Sequence, residues 1–436
     1  MRILLVSTYE LGHQPLHLAS PAARLRKEGH EVRCHDLAVE DWDDENFAWA
    51  DGVAFSVPMH TAMRLALQAA DRLERMWPEK PIAFYGLYAG SARERHVRLV
   101  GEYEDRLVAW SGGDRSSGFD LSRQRFERPD RRSLPTLERY ARLAVDGGEE
   151  LAGYVEASHG CRHRCLHCPI PAVYDGRYRV TGADVVLSDI ESQVAAGATH
   201  ISFGDPDFLN APRYSLDLLA AAHERFPSLT WDLTVKVSHI LDHEKVWGEV
   251  ASHGVRFVVS AFETTNDRVL LVLNKGHTAV GMSQAVAVMN SAGIDIRPSW
   301  LPFTPWTEPG DVASILRFLQ SHRLLDTVDP VQLSIRLLVP LGSLLAGRPE
   351  MGAYEEKTLS HKWSASTEVE AQQAKLAAIA EWGTGRPALM TLARMWAFVF
   401  GEPMPEVPDR GRPHLTESWF CCAEPTSKQS LSVASL

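Results

Sequence analysis

The chain has 436 residues, 45% hydrophobic and 23% charged, the balance of a globular protein with room for two or three domains. A net charge of −11 argues against nucleic acid as the main partner, because phosphate binding needs clustered cations. No apolar run is long enough to span a bilayer and no secretory leader is seen, so the expected location is the cytoplasm, with no membrane partner.

Strand and helix patterns alternate from the start. Ile3–Ser7, Glu31–His35, Gly52–Val57 and Pro81–Tyr85 read as strands, with helical spacing over Pro21–Glu28 and Thr61–Met76 between them. Such alternation predicts a Rossmann-like parallel sheet covered on both faces, over residues 1–110. Ligands of these sheets bind at strand C-terminal ends, where Ser7–Pro15 falls. From Ser111 to about Arg132 the text turns to Gly, Ser, Asp and Arg, a linker, and Leu137–Val145 has helical character; residues 111–148 are assigned to this connection.

Residues 149–350 then show six strand-like runs, at Gly153–Ala157, Thr199–Phe203, Thr230–Val235, Arg256–Ser260, Asp295–Leu301 and Val331–Leu337. Amphipathic helices lie between them, which predicts an open (β/α)6 partial TIM barrel with its chemistry at the C-terminal strand ends. A helical C-terminal region over 351–436 carries Glu368–Trp382, Pro387–Phe400 and a tail ending Cys421-Cys422-Ala423-Glu424-Pro425.

Six cysteines in a long intracellular chain argue against a disulfide framework. Cys34 sits in an apolar-alternating stretch and reads as core. Cys161, Cys165 and Cys168 form C-x3-C-x2-C directly after the first barrel strand, where a barrel site requires it. Four thiolates would close a cluster or a zinc site, whereas three hold a [4Fe–4S] cubane and leave one iron without a protein ligand. Zinc is the alternative occupant, with His163 or His167 as its fourth ligand.

The cysteine loop and the runs after it resemble the radical S-adenosylmethionine (SAM) superfamily. The resemblance implies SAM bound to the open iron, an external electron donor such as flavodoxin or ferredoxin, and reductive cleavage of a carbon–sulfur bond. It implies Asp205, in Phe203-Gly-Asp-Pro-Asp-Phe208, as acceptor for the methionyl ammonium, and Ser238 beside Lys236 and His239 for the carboxylate or ribose. Glu263 is implied for SAM hydroxyls or amine, and the Leu338 segment for packing against adenine.

The N-terminal sheet resembles the cobalamin-binding domain of such enzymes, but D-x-H-x-x-G is absent and His13 and His35 are wrongly framed. Either cobalamin binds without a protein histidine or the domain has lost it. The tail resembles that of the CUAEP/CCAEP-tail radical SAM family, and the chain is similar to the radical SAM enzyme of arsinothricin biosynthesis, which transfers a 3-amino-3-carboxypropyl group to arsenite. This implies Cys421 and Cys422 as catalytic thiols that present a small thiophilic substrate such as arsenite. Two other readings stand beside it: a cobalamin-dependent methyltransferase, and a non-enzymatic iron–sulfur or metalloid sensor.

Overall fold

The structure, a computed structural model, describes residues 1–408 and 410–417. Six strands, β1 Arg2–Ser7, β2 Glu31–Asp36, β3 Gly52–Ser56, β4 Ile82–Tyr85, β5 Val97–Gly101 and β6 Gly118–Asp120, form one parallel sheet in the order β2-β1-β3-β4-β5-β6. Alternation along β1 sorts its side chains. Ile3 and Leu5 pack with Leu18, Leu107 and Trp110 on one face, and Leu4 and Val6 with Phe47, Met63 and Leu73 on the other. Cys34 lies in the first of these cores, as its sequence context suggested.

The stretch read as a linker is partly structured. Its three residues Gly118–Asp120 pair parallel with β5, and Arg142–Val145 is a strand, β7, instead of a helix. Asp146-Gly147 makes the tight turn from β7 to β8 (Gly148–Val155), with Gly147 at φ +91°, a conformation that favours glycine.

After β8 come β9 Ser158–Gly160, β10 Tyr178–Val180, β11 His200–Phe203, β12 Thr230–Thr234, β13 Val255–Glu263 and β14 Asp295–Trp300. The barrel sheet runs β14-β13-β12-β11-β8-β7-β17, where β17 is His414–Leu415. Five of these strands, β8 and β11 to β14, are parallel and form a half-barrel, while β7 and β17 extend it antiparallel.

The expected sixth barrel strand is reduced to a single parallel bridge, Phe303 to Arg336. Pro330 starts a 3₁₀ turn over Pro330–Ser334, and the Asp329 side chain caps it at the Val331 N–H. Gln332 Oε1 accepts the Trp300 N–H at 3.1 Å, taking the place of a strand partner.

C-terminal helices Thr367–Gly383 and Ala388–Phe400 bury Leu376, Ile379, Leu392 and Trp396 in the barrel core. Between them and the barrel, the hairpin of β15 (Tyr354–Glu355) and β16 (Ser360–His361) inserts Leu359 into the N-terminal core. His60 Nε2 meets the Thr358 carbonyl at 2.8 Å, so this hairpin ties the barrel's C-terminal extension to the first sheet. Among the described residues no helix is long and apolar enough to cross a membrane.

Candidate active site

The C-terminal strand ends of the two sheets face each other across a cavity of about 300 Å³. Leu11, Met59, Leu87 and Tyr103 wall it from the N-terminal sheet, and Glu156, Asp207, Lys236, Glu263 and Trp300 from the half-barrel. This is where parallel α/β sheets and barrels bind ligands.

The cysteine loop forms one wall. Gly160 enters it at φ +76°, and a Cβ there would lie 2.5 Å from the Tyr174 ring and 2.6 Å from the Arg177 carbonyl, so only glycine fits. Asn210 braces the loop by accepting the Arg162 N–H at 3.0 Å. Leu166 N–H donates to the Leu273 carbonyl at 2.9 Å, and Asn274 donates to the Arg164 carbonyl at 3.0 Å. These bonds bring Cys161, Cys165 and Cys168 onto the cavity wall, none of them in a disulfide. Burial pushes the bare Cys161 thiol up to about 12, so a thiolate there needs a bound cationic centre. Three soft donors on one braced loop, open to a cavity, fit a three-cysteine [4Fe–4S] cluster.

Glu263, at the end of β13, lies beside the loop at φ +66°. Its Oε1 takes the Lys275 ammonium at 2.9 Å and His167 Nε2 at 3.0 Å. Burial opposes its charge, but Lys275 and His167 outweigh burial and hold the carboxylate well below its ordinary range.

Asp205, Ser238 and Leu338, the other residues implied for SAM, do not line this cavity. Asp205 is off the cavity wall: its carboxylate accepts the Ala157 N–H at 2.9 Å and the Ser158 hydroxyl, bracing the turn between β8 and β9. Burial pushes it up to about 7. Asp207, two residues on, is the acidic wall residue. Ser238 sits on the helix Val237–Asp242 away from the cavity, and Lys236 just before that helix faces it. Leu338 is buried off the wall, and Ile335 represents its segment there, because the 3₁₀ turn replaces the strand that would have aimed Leu338 inward. Cys421 and Cys422 lie outside the described residues.

Two clusters escaped the sequence reading. His163 Nε2 and His239 Nδ1 lie 3.1 and 2.8 Å from Asp207 Oδ2. Across the domain junction runs a ladder of alternating charge. Glu10 meets His17 at 2.7 Å, His17 meets Glu156 at 3.5 Å, Glu156 meets His159 at 3.5 Å, and His159 meets Glu102 at 3.1 Å. Burial lowers both imidazoles, but the flanking carboxylates prevail: Glu102 and Glu156 raise His159 to about 9, and Glu10 and Glu156 raise His17 well above its ordinary value. Burial likewise opposes charge on Glu156, yet His17 and His159 bring it down to about 2. The only available signal was position, since Glu10, Glu102 and Glu156 each follow a strand.

Residues 155–303 match the family model described as the Radical SAM superfamily. This is a radical SAM domain. Such domains use a [4Fe–4S] cluster and SAM, and the half-barrel with its cysteine loop has the architecture of a radical SAM enzyme. The methyltransferase TsrM from Kitasatospora setae, solved with tryptophan and a SAM analogue, superposes with a TM-score of 0.59 at 18% identity, over 74% of this chain and 71% of that one. OxsB, solved with aqua-cobalamin and SAM, gives 0.62 at 14% identity, over 88% and 66%. Hopanoid C-2 methylase of Rhodopseudomonas palustris is 22% identical over 281 residues, covering 61% of this chain and 52% of its own length. The chain spans about half the length of the curated relatives it matches. At these identities the structural likeness is one of fold.

The half-barrel faces the N-terminal parallel sheet across this cavity. The two histidines weighed as axial ligands are placed differently here. His13 stacks on Tyr154 with ring centroids 4.4 Å apart and lines the cavity, whereas His35, whose Nε2 meets the Asp41 carbonyl at 3.0 Å, does not line it. The ladder brings the two domains into direct contact.

Proposed function

We propose that the chain reductively cleaves SAM and transfers the 3-amino-3-carboxypropyl group to a thiophilic acceptor of the arsenite class presented by Cys421 and Cys422. The observation that carries this reading is the three-cysteine loop on the wall of a cavity shared by two domains. A [4Fe–4S] cluster on Cys161, Cys165 and Cys168 would supply one electron to the SAM sulfonium, breaking the C–S bond to release 5′-methylthioadenosine, and a second electron from the same flavodoxin- or ferredoxin-class donor, with a proton, would reduce the arsenic adduct as one hydroxide leaves as water. Lys236 offers an ammonium on the wall for the SAM carboxylate. Leu11, Met59 and Leu87 keep water from the carbon radical.

Support for the acceptor comes from where the described chain ends. Thr416 N–H donates to the Arg142 carbonyl at 2.8 Å, and Glu417 Oε1 accepts the Tyr9 hydroxyl at 2.6 Å. Glu417 is thus pinned to the loop whose Glu10, Leu11 and His13 line the cavity. Cys421 is four residues on, a reach of at most about 14 Å. Two adjacent thiolates chelate a soft centre such as As(III).

The test is mass spectrometry of products from reduced, cluster-loaded protein with SAM, with and without arsenite. 5′-Methylthioadenosine together with an arsenic-bearing aminocarboxypropyl product is expected. 5′-Deoxyadenosine alone would sink the group assignment. The competing methyltransferase reading, prompted by the TsrM and OxsB folds, requires stoichiometric cobalamin uptake. A sensor would leave SAM intact.

A further inference from the structure

The sequence segment after β11 places two acidic residues on one turn, and the reading above uses neither Asp207 nor the two histidines around it. Three elements converge there: the cysteine loop brings His163, the turn brings Asp207, and the helix Val237–Asp242 brings His239. Their three donor atoms lie within 4.8 Å of one another. His163 Nε2, Asp207 Oδ2 and His239 Nδ1 are all shut off from solvent, and none has a well-directed hydrogen bond despite the short separations. Three buried donors this close together, none of them hydrogen-bonded, form a set that a cation would satisfy.

We propose that His163, Asp207 and His239 bind a divalent first-row ion, zinc(II) or iron(II), on the cavity wall. Two imidazoles and one carboxylate are a borderline donor set suited to either ion. Ligand bonds of about 2.0–2.1 Å around a tetrahedral ion set neighbouring donors roughly 3.3 Å apart, close to the two nitrogen–carboxylate separations of 3.1 and 2.8 Å. Asp207 is already oriented, because its Oδ1 accepts the Leu209 N–H at 3.1 Å. His163 and Asp207 both line the cavity, so the ion's remaining position faces the bound molecules and takes an anionic donor from them. One group opposes the ion: Lys236 Nζ lies 3.4 Å from the other nitrogen of His163, Nδ1. Loading the site requires that contact to open, which its four-carbon stem permits.

The experiment is equilibrium dialysis of cluster-loaded full-length chain against micromolar zinc(II), and separately iron(II), with metals counted by mass spectrometry. It is run in a Cys421→Ser/Cys422→Ser background so that the tail thiols cannot hold the ion. The expected result is one ion per chain beyond the cluster iron. Asp207→Asn and His239→Ala should each weaken binding at least tenfold, Lys236→Met should tighten it, and the cluster absorbance should persist in all. Asp207→Asn keeps the shape of the turn, so it remains informative if His239→Ala fails to fold. Either no extra ion in the parent chain or equal retention by parent and Asp207→Asn overturns the proposal and leaves a closed imidazole–carboxylate cluster only. Metal content is read without turnover, so this outcome is independent of whether SAM is cleaved.

Discussion

The pair of Glu263 and Lys275 offers a direct probe of how the cluster loop is held. Both side chains are nearly sealed, at 10% and 4% exposure, and their 2.9 Å contact stands beside Cys165 and Cys168. Glu263→Gln keeps the shape and removes one charge, leaving the Lys275 ammonium buried without a counter-ion. Breaking a buried pair from one side costs about 3–5 kcal/mol, and His167 remains as a partner for the amide oxygen, so about 3 kcal/mol is expected. Lys275→Met strands the carboxylate with His167 alone and should cost a similar ~3 kcal/mol. The double variant carries neither charge, so it should cost about 4 kcal/mol where additivity gives about 6, a coupling of about 2. Urea unfolding of the cluster-loaded chain, followed by tryptophan fluorescence, reads this as midpoint shifts of about 1 M for each single change at m near 3 kcal/mol/M. Single shifts that add without coupling, or singles below about 1 kcal/mol, would refute the claim that the pair is a closed buried unit.

Further outcomes follow from the same geometry. Cys165→Ala should lose cluster iron and SAM cleavage, whereas Cys34→Ser, in the N-terminal core, should keep both; iron analysis beside visible spectra decides. The ladder makes domain docking depend on pH at both ends. His159 is raised to about 9, so its contribution is full below its ordinary value near 6.5 and is lost as pH climbs through 9. Glu156 is lowered to about 2, so its contribution is present above about 4 and disappears as pH falls towards 2. Thermal melts across pH 4–10 should therefore decline at the alkaline end, and Glu102→Gln, which removes the larger partner of His159, should move that decline to lower pH; an unmoved decline would show the ladder to be idle. Cys421→Ser/Cys422→Ser should leave iron content and SAM binding intact while product and arsenite binding fall at least tenfold, as judged by product analysis and arsenite titration.

Most of the architecture was legible because parallel strands buried on both faces leave dense apolar runs, and five of the six barrel runs are strands. The sixth, Val331–Leu337, is equally apolar, but Pro330 and the Asp329 cap start a 3₁₀ turn that the apolar count cannot weigh against pairing. Arg142–Val145 looked helical because four residues cannot separate the two periods, and the Asp146-Gly147 turn is the better guide. At the site, the loop cysteines could be read because their spacing is local. Asp205 and Asp207 could not be told apart, since both flank one proline and only the fold decides which carboxylate braces the turn and which faces the cavity. Glu10, His17, Glu102, Glu156 and His159 are scattered over about 150 positions, and no local pattern joins them before the two sheets meet.

Anaerobic single-turnover reaction of the cluster-loaded full chain with SAM and a low-potential reductant decides whether the three-cysteine loop drives SAM cleavage. SAM should be consumed with one C–S bond broken per electron delivered, and Cys161→Ala, Cys165→Ala and Cys168→Ala should each abolish both consumption and the cluster absorbance. SAM left intact by fully loaded parent protein, or cleaved equally well by the Cys165→Ala variant, would contradict it.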